Sequence, residues 1–176
     1  MEKIAKATIE NAALMQGVMH RHMRAYVSAE VEGAIYQDER LKFQVDIRLT
    51  NSGFTPARNV SYAIAADVLG DTLPADFSFP NSGAINTNDA TLSPRGTFII
   101  HGFLKNRLSD ADAEAVMTNE GKRLHCWGTI YYEDIFGDKW ETNFCVSINF
   151  NRYTDAEGKF RVRQTHSYHP KHNNAT

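Results

Sequence analysis

Two cysteines are the residues of this chain whose type and spacing first suggest chemistry. We predict that residues 125–150 fold as a β-hairpin about a turn at residues 134–137, which places Cys126 directly opposite Cys145. Opposed cysteines on antiparallel strands can form a disulfide, although such short-range bridges are strained and easily reduced. The two are therefore a candidate redox pair. Because no secretion signal precedes them, two free thiols on a half-buried face are the favoured interpretation.

Three histidines near the C-terminus follow one another at three-residue intervals: His166, His169 and His172. Three imidazoles hold zinc or nickel when the backbone places them on one side. An extended chain does not do so, and Pro170 disfavours a helix through His169. We therefore expect a solvated, mobile C-terminal tail and no metal or other cofactor.

Four carboxylates gather around the predicted end of the hairpin: Glu133, Asp134, Asp138 and Glu141. A pair of carboxylates suits general acid–base catalysis, but hairpin ends are normally solvated and charged. The sequence contains no G-x-S-x-G nucleophile elbow and no phosphate-binding glycine loop. It therefore favours a protein that is not an enzyme. The alternative is a small metal-dependent protein or hydrolase that uses these carboxylates or the tail histidines.

The composition is that of one soluble globular domain. The 176 residues are 42% hydrophobic and 23% charged, which suits a packed core and excludes wholesale disorder. A formal net charge of −2 without a basic stripe argues against nucleic acid as a partner. No segment approaches the ~18–20 apolar residues of a transmembrane helix, and the start is not a secretory signal. We expect a membrane connection only through an anchor that this chain lacks.

Residues 3–24 have the periodicity of an amphipathic helix. The apolar stripe is weak and rich in methionine, and its members recur at three- and four-residue spacing: Ile4, Thr8, Ile9, Ala12, Met15, Met19 and Met23. Such a stripe does not stabilise a lone helix in water. We therefore expect self-association through residues 4–23. A fold back onto the helix's own domain and a stalk leading from a membrane anchor are the alternatives.

The following segments alternate with the period of β-strands, which predicts strands over residues 26–31, 41–49, 60–68 and 97–104. Ser109 begins a capping box, which predicts a short crossing helix over residues 111–120. Residues 71–93 are predicted as a long connection in which Phe77 and Phe79 pack back onto the sheet. The pattern indicates a mainly β protein, an immunoglobulin-like antiparallel β-sandwich, with a small barrel as the alternative.

The predicted hairpin register divides its large side chains between two faces. One face is an aromatic ladder suited to burial, and we expect it to join a core formed by Phe43, Val45, Ile47, Tyr62, Ile64, Trp127, Tyr131, Trp140, Phe144 and Val146. Ile130 and Tyr132 lie on the opposite face. If that face is uncovered, the two residues form an apolar patch that marks a partner surface. Otherwise the second sheet or the N-terminal helix covers them.

Three segments together resemble a known family. They are the Ala-rich helix running into residues 24–27, the run N-S-G-F-T-P-A-R-N-V at residues 51–60, and the run G-T-I-Y-Y-E-D-I-F-G at residues 128–137 followed by T-N-F-C. The likeness is to uncharacterised bacterial, often membrane-anchored proteins in which an Ala-rich helix precedes an immunoglobulin-like domain. The resemblance implies a fold and an architecture but no activity. Within the second segment, Gly53 is predicted to adopt a positive φ and Asn59 to bond local backbone groups.

These observations divide the chain into an N-terminal helix or stalk at residues 1–24, a β-sandwich domain at residues 25–153 and a polar tail at residues 154–176. The expected function is that of a binding or scaffold module without catalysis, close to a membrane or within a larger assembly. The expected partner is another protein or a second copy of the chain. The candidate partner surface comprises Ile130, Tyr132, Ile4, Met15, Met19 and Met23.

Overall fold

The computed structural model describes residues 2–80 and 85–176. Within them lie α1 Glu2–Met23, β1 Val27–Gln37, β2 Lys42–Asn51, β3 Ala57–Gly70, β4 Asn86–Leu92, β5 Thr97–Phe103, α2 Asp110–Thr118, β6 Lys122–Glu133, β7 Lys139–Thr154, β8 Phe160–Tyr168 and β9 Asn174–Ala175. A single turn of 3-10 helix, Asp38–Arg40, joins β1 to β2. The protein is therefore mainly β, as the sequence predicts.

Two antiparallel sheets form the body of the protein. The smaller sheet has three strands in the order β1-β2-β5. The larger has six: it runs β4-β3-β6-β7-β8, and β9 pairs with β7 beside β8. Since α1 comes directly before β1, the smaller sheet is the one to which the helix is joined.

The core is built from alternate residues of both sheets. Five of the predicted core residues are buried in it: Phe43, Val45, Ile47, Phe144 and Val146. Three more are partly buried and pack against this cluster: Tyr62, Ile64 and Trp140. The alternation on β2 is so regular because successive side chains of a strand point to opposite faces of its sheet.

The β6–β7 hairpin pairs in a register that differs from the prediction by one residue. Residues 134–137 form the predicted turn, in which Gly137 N donates to Asp134 O at 3.2 Å. However, Gly137 has a φ of +86° and acts as a bulge, and Asp134 N donates to Asp138 O at 3.0 Å. The extra residue shifts β7, so that Trp127 pairs with Cys145.

This shift splits the predicted aromatic ladder between two faces. Cys126 pairs with Val146 in the main core, while Trp127 and Cys145 lie in a second buried cluster on the outer face of the larger sheet. Tyr131 is only half-buried. The prediction that Trp127 and Tyr131 belong to the main core is wrong, because a one-residue change of register exchanges the two faces of a strand.

The connection after β3 packs onto this outer face, which confirms the prediction for Phe77 and Phe79. The ring of Phe77 lies edge-on to Trp127 with centroids 5.2 Å apart. The indole Nε1 of Trp127 donates to the carbonyl of Pro80 at 2.9 Å. The connection is shorter than predicted, since β4 forms within it and pairs with β3.

Residues 154–176 were predicted as a mobile tail, and the structure corrects this. β7 extends to Thr154, β8 pairs along it, and β9 pairs with it further back. Between these strands the side-chain amide of Asn173 substitutes for a strand: it accepts from Cys145 N at 3.0 Å and donates to Cys145 O at 3.2 Å. The polar composition of β8 and β9 does not predict strands. They form because the edge of β7 supplies the hydrogen bonds that stabilise them.

The predicted N-cap residue Ser109 is confirmed at the start of α2, while the carboxylate of Asp112 pairs with Lys122. The side chain of Ser109 accepts from Asp112 N at 3.1 Å, which satisfies one exposed amide of the first turn. The helix ends at Thr118, two residues before the predicted end at residue 120, because Asn119 adopts a left-handed conformation with a φ of 57°.

Candidate functional site

The apolar side chains of α1 that the structure describes are exposed to solvent. We call them the helix face: Ile9, Leu14, Met15, Val18, Met19 and Met23. Ile9, Leu14 and Met15 are 70%, 69% and 67% exposed, respectively. Leu14 and Val18 form a row at four-residue spacing beside the row of methionines. These two residues belong to the helix face but were not part of the apolar stripe predicted from the sequence, although their spacing could have identified them. Ile4 was also predicted to belong to the partner surface, but its side chain is not among those that the structure describes.

In residues 2–80 and 85–176, neither helix is sufficiently long and apolar to span a bilayer. The contacts described between α1 and the rest of the protein involve its last turn, from His20 to Met23.

Asn51, at the end of β2, organises the joint between α1 and the smaller sheet. Its side chain is fully buried, and its Oδ1 accepts from Tyr26 N at 3.1 Å and from Gly53 N at 3.0 Å. Its Nδ2 donates to Thr55 O at 2.8 Å and to Leu92 O at 3.1 Å. One amide therefore ties the start of β1 to the β2–β3 turn and to β4.

The β2–β3 turn also receives the last residues of α1. Thr55 Oγ1 donates to the carbonyl of Met23 at 2.5 Å. A Cβ on Gly53 would lie 2.4 Å from Arg24 O and 2.8 Å from Ala25 Cα. Gly53 is therefore required for close approach of two backbone segments. The predicted positive φ is wrong, since the described glycines with positive φ are Gly121, Gly137 and Gly158.

Aromatic rings from the β6–β7 hairpin complete the joint. The guanidinium of Arg24 lies 4.1 Å from the ring centroid of Tyr26 and 4.0 Å from that of Trp140. The imidazole of His20 stacks on Phe136 with centroids 3.6 Å apart. Cation–π and stacking contacts of this kind hold a helix end without a buried salt bridge. We call Asn51, Gly53, Thr55, Phe136 and Trp140 the helix socket.

Ile130 and Tyr132 do not form a partner surface. Ile130 is fully buried and Tyr132 is 3% exposed, and both belong to the main core. The smaller sheet covers them: Thr142 Oγ1, on the same face of β7, donates to Val27 O of β1 at 2.6 Å. The helix does not fold over this face either. The bulge at Gly137 is the physical reason, because the shifted register turns the face inward.

The two cysteines are free, buried and on opposite faces of the larger sheet, so they are not placed as a redox pair. The predicted opposition of Cys126 and Cys145 is wrong because each pairs with a neighbour of the other. Burial raises the pKa of Cys126 well above its usual range, and burial raises the pKa of Cys145 to about 12. Both thiols are therefore inert at neutral pH.

The hairpin-end carboxylates hold the turn and the joint. Asp134 is buried, and its carboxylate accepts from Phe136 N at 2.8 Å, Asp138 N at 3.1 Å and Trp140 Nε1 at 2.9 Å. These hydrogen bonds fix the indole ring of Trp140, which stacks on the guanidinium of Arg24. Glu133 instead accepts from Asn59 at 2.9 Å, and Asn59 adopts a φ of 51°, so its predicted bond to local backbone is replaced. Glu141 accepts from Asn143 Nδ2 at 3.4 Å, so Glu133, Asp134 and Glu141 each contact polar groups of the hairpin or of β3.

The three C-terminal histidines do not converge. His172 stacks on Phe79 with centroids 4.4 Å apart, and His169 meets the same ring edge-on at 5.3 Å. His166 pairs with the inward-facing Ile148 and so lies on the other face of the sheet. Within the described parts of the chain, no three histidine, cysteine or acidic side chains lie close enough to share a metal ion.

A buried histidine that the sequence analysis missed spans the outer face of the larger sheet. His125 Nε2 donates to Gly70 O at 2.8 Å, and Ser147 Oγ donates to His125 Nδ1 at 2.8 Å. Burial lowers the pKa of His125, which keeps the ring neutral and suits one donor and one acceptor nitrogen. The ring bridges β3 and β7 over β6. The alternation of β6 is sufficient to predict that His125 lies on the outer face. Its burial was not predictable, because it depends on residues that are distant in the sequence.

Comparisons with known proteins give a distant likeness in structure. No protein-family model matches this chain, and no curated protein does. A Bordetella pertussis protein with the provisional name ApaA aligns with 84% of this chain and 96% of its own, at 12% identity and a TM-score of 0.41. An Archaeoglobus fulgidus protein aligns with 83% and 97%, at 11% identity and a TM-score of 0.32. Likenesses at this level carry no information on function.

Proposed function

We propose that this protein is a non-enzymatic scaffold module that joins a larger assembly through the helix face of α1. The observation that supports the proposal is the exposure of that face while the end of α1 is held in the helix socket. A helix that packed on its own sheets would bury these side chains. A partner that covers them removes apolar surface from water and stabilises the helix.

A second copy of the chain is the partner that we propose first. The helix face has two rows at four-residue spacing, Leu14–Val18 and Met15–Met19–Met23, and parallel rows of this kind interlock with an equivalent helix. Leucine and methionine side chains adapt readily to such packing. The alternative partner is a different protein that presents an apolar helix. The role of this module as a scaffold is the same with either partner.

The base that carries the helix is, in our proposal, an immunoglobulin-like sandwich. Strand order supports it: β1-β2-β5 corresponds to strands A-B-E, and β4-β3-β6-β7 to strands C′-C-F-G of that architecture. In this correspondence β8 is an addition beyond the last strand, and α2 lies in the connection between strands E and F. The rigid base would fix the direction in which α1 leaves the domain.

Light scattering of the full chain tests the proposed function. We expect the intact chain to be a dimer or larger, and the double variant Leu14→Gln/Met19→Gln to be a monomer with an unchanged spectrum of the β-sheets. Both residues are exposed, so the substitutions disturb no core. A partner other than a second copy would instead appear as a monomeric chain that binds a helical peptide through the same two residues.

The matched control is Ile35→Gln/Ile99→Gln. These residues are 57% and 50% exposed on the smaller sheet and do not belong to α1, so the variant lowers surface hydrophobicity to a comparable extent without changing the helix face. The control should retain the oligomer. Loss of the oligomer in both double variants would contradict a specific role of the helix face, because it would indicate association through surface hydrophobicity in general.

A further inference from the structure

A basic concavity lies at the end of the smaller sheet that is remote from α1. It has a volume of about 310 Å³ and is lined by Glu39, Arg40, Lys42, Phe103 and Arg107. Glu39 and Arg40 lie in the turn between β1 and β2, and Lys42 begins β2. Phe103 ends β5, and Arg107 lies in the segment between β5 and α2. Positive charge gathers here although the whole chain has a formal net charge of −2.

The turn and the facing segment are bonded to each other, so the concavity has a fixed frame. Leu108 N donates to Leu41 O at 2.8 Å, and Lys42 Nζ donates to Lys105 O at 3.3 Å. Leu41 adopts a φ of 51°, a conformation that a leucine rarely takes and that surrounding contacts must maintain. Leu41 closes the turn between β1 and β2, so Arg40 and Lys42 on either side of it belong to a defined backbone conformation.

The cations that line this concavity form no salt bridge with the described side chains. The salt bridges of the described residues involve other cations, and Arg40, Lys105 and Arg107 donate to no acidic group there. By contrast, Arg48, Arg152 and Arg161 each pair with a carboxylate. Among the described lining residues, Glu39 is the one acid, so the site keeps an excess of positive charge.

We infer that this concavity binds a phosphate group, carried either by a free molecule or by a lipid headgroup. Two guanidinium groups offer planar pairs of N–H donors that match phosphate oxygens, and the ammonium of Lys42 adds a point charge. The exposed ring of Phe103 forms an apolar wall for the group that bears the phosphate. The site lies at the far end of β1 from the helix socket, so it is independent of the proposed function.

Titration calorimetry with pyrophosphate and co-sedimentation with phosphatidylcholine vesicles, with or without phosphatidic acid, test this inference on the full chain. The variant Arg40→Gln/Arg107→Gln removes two exposed guanidinium groups that make no salt bridge in the described chain, so it should fold normally. The control Arg95→Gln/Lys139→Gln makes the same change in net charge elsewhere on the surface.

We expect saturable binding by the intact chain and the control, and at least a tenfold weaker association constant in the Arg40→Gln/Arg107→Gln variant. Binding of pyrophosphate would identify a free ligand, whereas binding only to vesicles with phosphatidic acid would identify a lipid headgroup. Absence of saturable binding to both probes, or an equal loss in the two double variants, would overturn the inference.

Discussion

At the scale of single residues, Gly53 is a position where any side chain would collide with the backbone of the joint. Alanine there places Cβ 2.4 Å from Arg24 O, a backbone atom that moves only if the joint moves. We predict that Gly53→Ala costs about 1–3 kcal/mol in the free energy of unfolding, as forced overpacking does. Urea denaturation measures it. The control Gly70→Ala should change stability far less, since nothing lies within 4 Å of its Cβ.

The cysteines give a prediction on pH and reactivity. Burial raises the pKa of Cys145 to about 12, whereas a thiol in an unfolded chain has a pKa of about 8.5. Between these two pH values the Cys145 thiol is therefore protonated in the folded chain and deprotonated in the unfolded chain. The unfolded state thus binds fewer protons in this pH range, and the free energy of unfolding falls as pH rises from about 8.5 towards 12. Stability that stays constant across this window in urea titrations would contradict the assigned burial.

Thiol labelling supplies the complementary measurement for Cys126 and Cys145. Both should react with a thiol reagent at pH 8 only after denaturation, and mild oxidants should form no disulfide within the chain. Rapid labelling of the folded protein, or an intramolecular disulfide after oxidation, would place the two thiols differently from the opposite faces described above.

At the scale of elements, the outer cluster around Trp127 stabilises the connection after β3. Trp127→Ala removes a buried ring and its bond to Pro80, so we predict a loss of about 3–5 kcal/mol in the free energy of unfolding. Amide exchange should accelerate in the segment that carries Leu73 and Phe77 more than in β2. Uniform acceleration across both sheets would show that Trp127 supports the main core instead.

The elements also show how far the sequence alone leads. Strict alternation predicted β2 and its buried residues, and the capping box predicted the start of α2, because both signals are local. The hairpin register was not predictable in this way. A single bulged glycine, Gly137, decides it, and the turn residues fit both registers. The strands β8 and β9 were missed because their stability comes from the edge of β7.

In the candidate site, too, the features that depend on local sequence patterns were predictable, and those that depend on residues distant in the sequence were not. The helix and three of its exposed methionines were predictable from spacing, whereas the helix socket was not. Asn51 and Trp140 lie 89 positions apart in the sequence but hold the same joint. Likewise Tyr132 looked like a surface residue, and only the shifted register shows it to be part of the core.

At the scale of the whole molecule, the two sheets form a base to which α1 is joined, and the described apolar side chains of α1 are uncovered. The base is stabilised by one main core and one outer cluster. The helix contributes little to either, since contacts at the socket involve its last residues. Removal of the helix should therefore leave the base folded, which separates the assembly role of α1 from the stability of the sheets.

The most direct test compares the intact chain with a chain that lacks residues 1–22, by light scattering at high micromolar concentration. The account predicts a dimer or larger for the intact chain and a folded monomer for the shortened one, with the β-sheet circular dichroism retained. Without a partner protein, an intact chain that is monomeric at this concentration would contradict self-association through the helix face, as would a shortened chain that remains oligomeric.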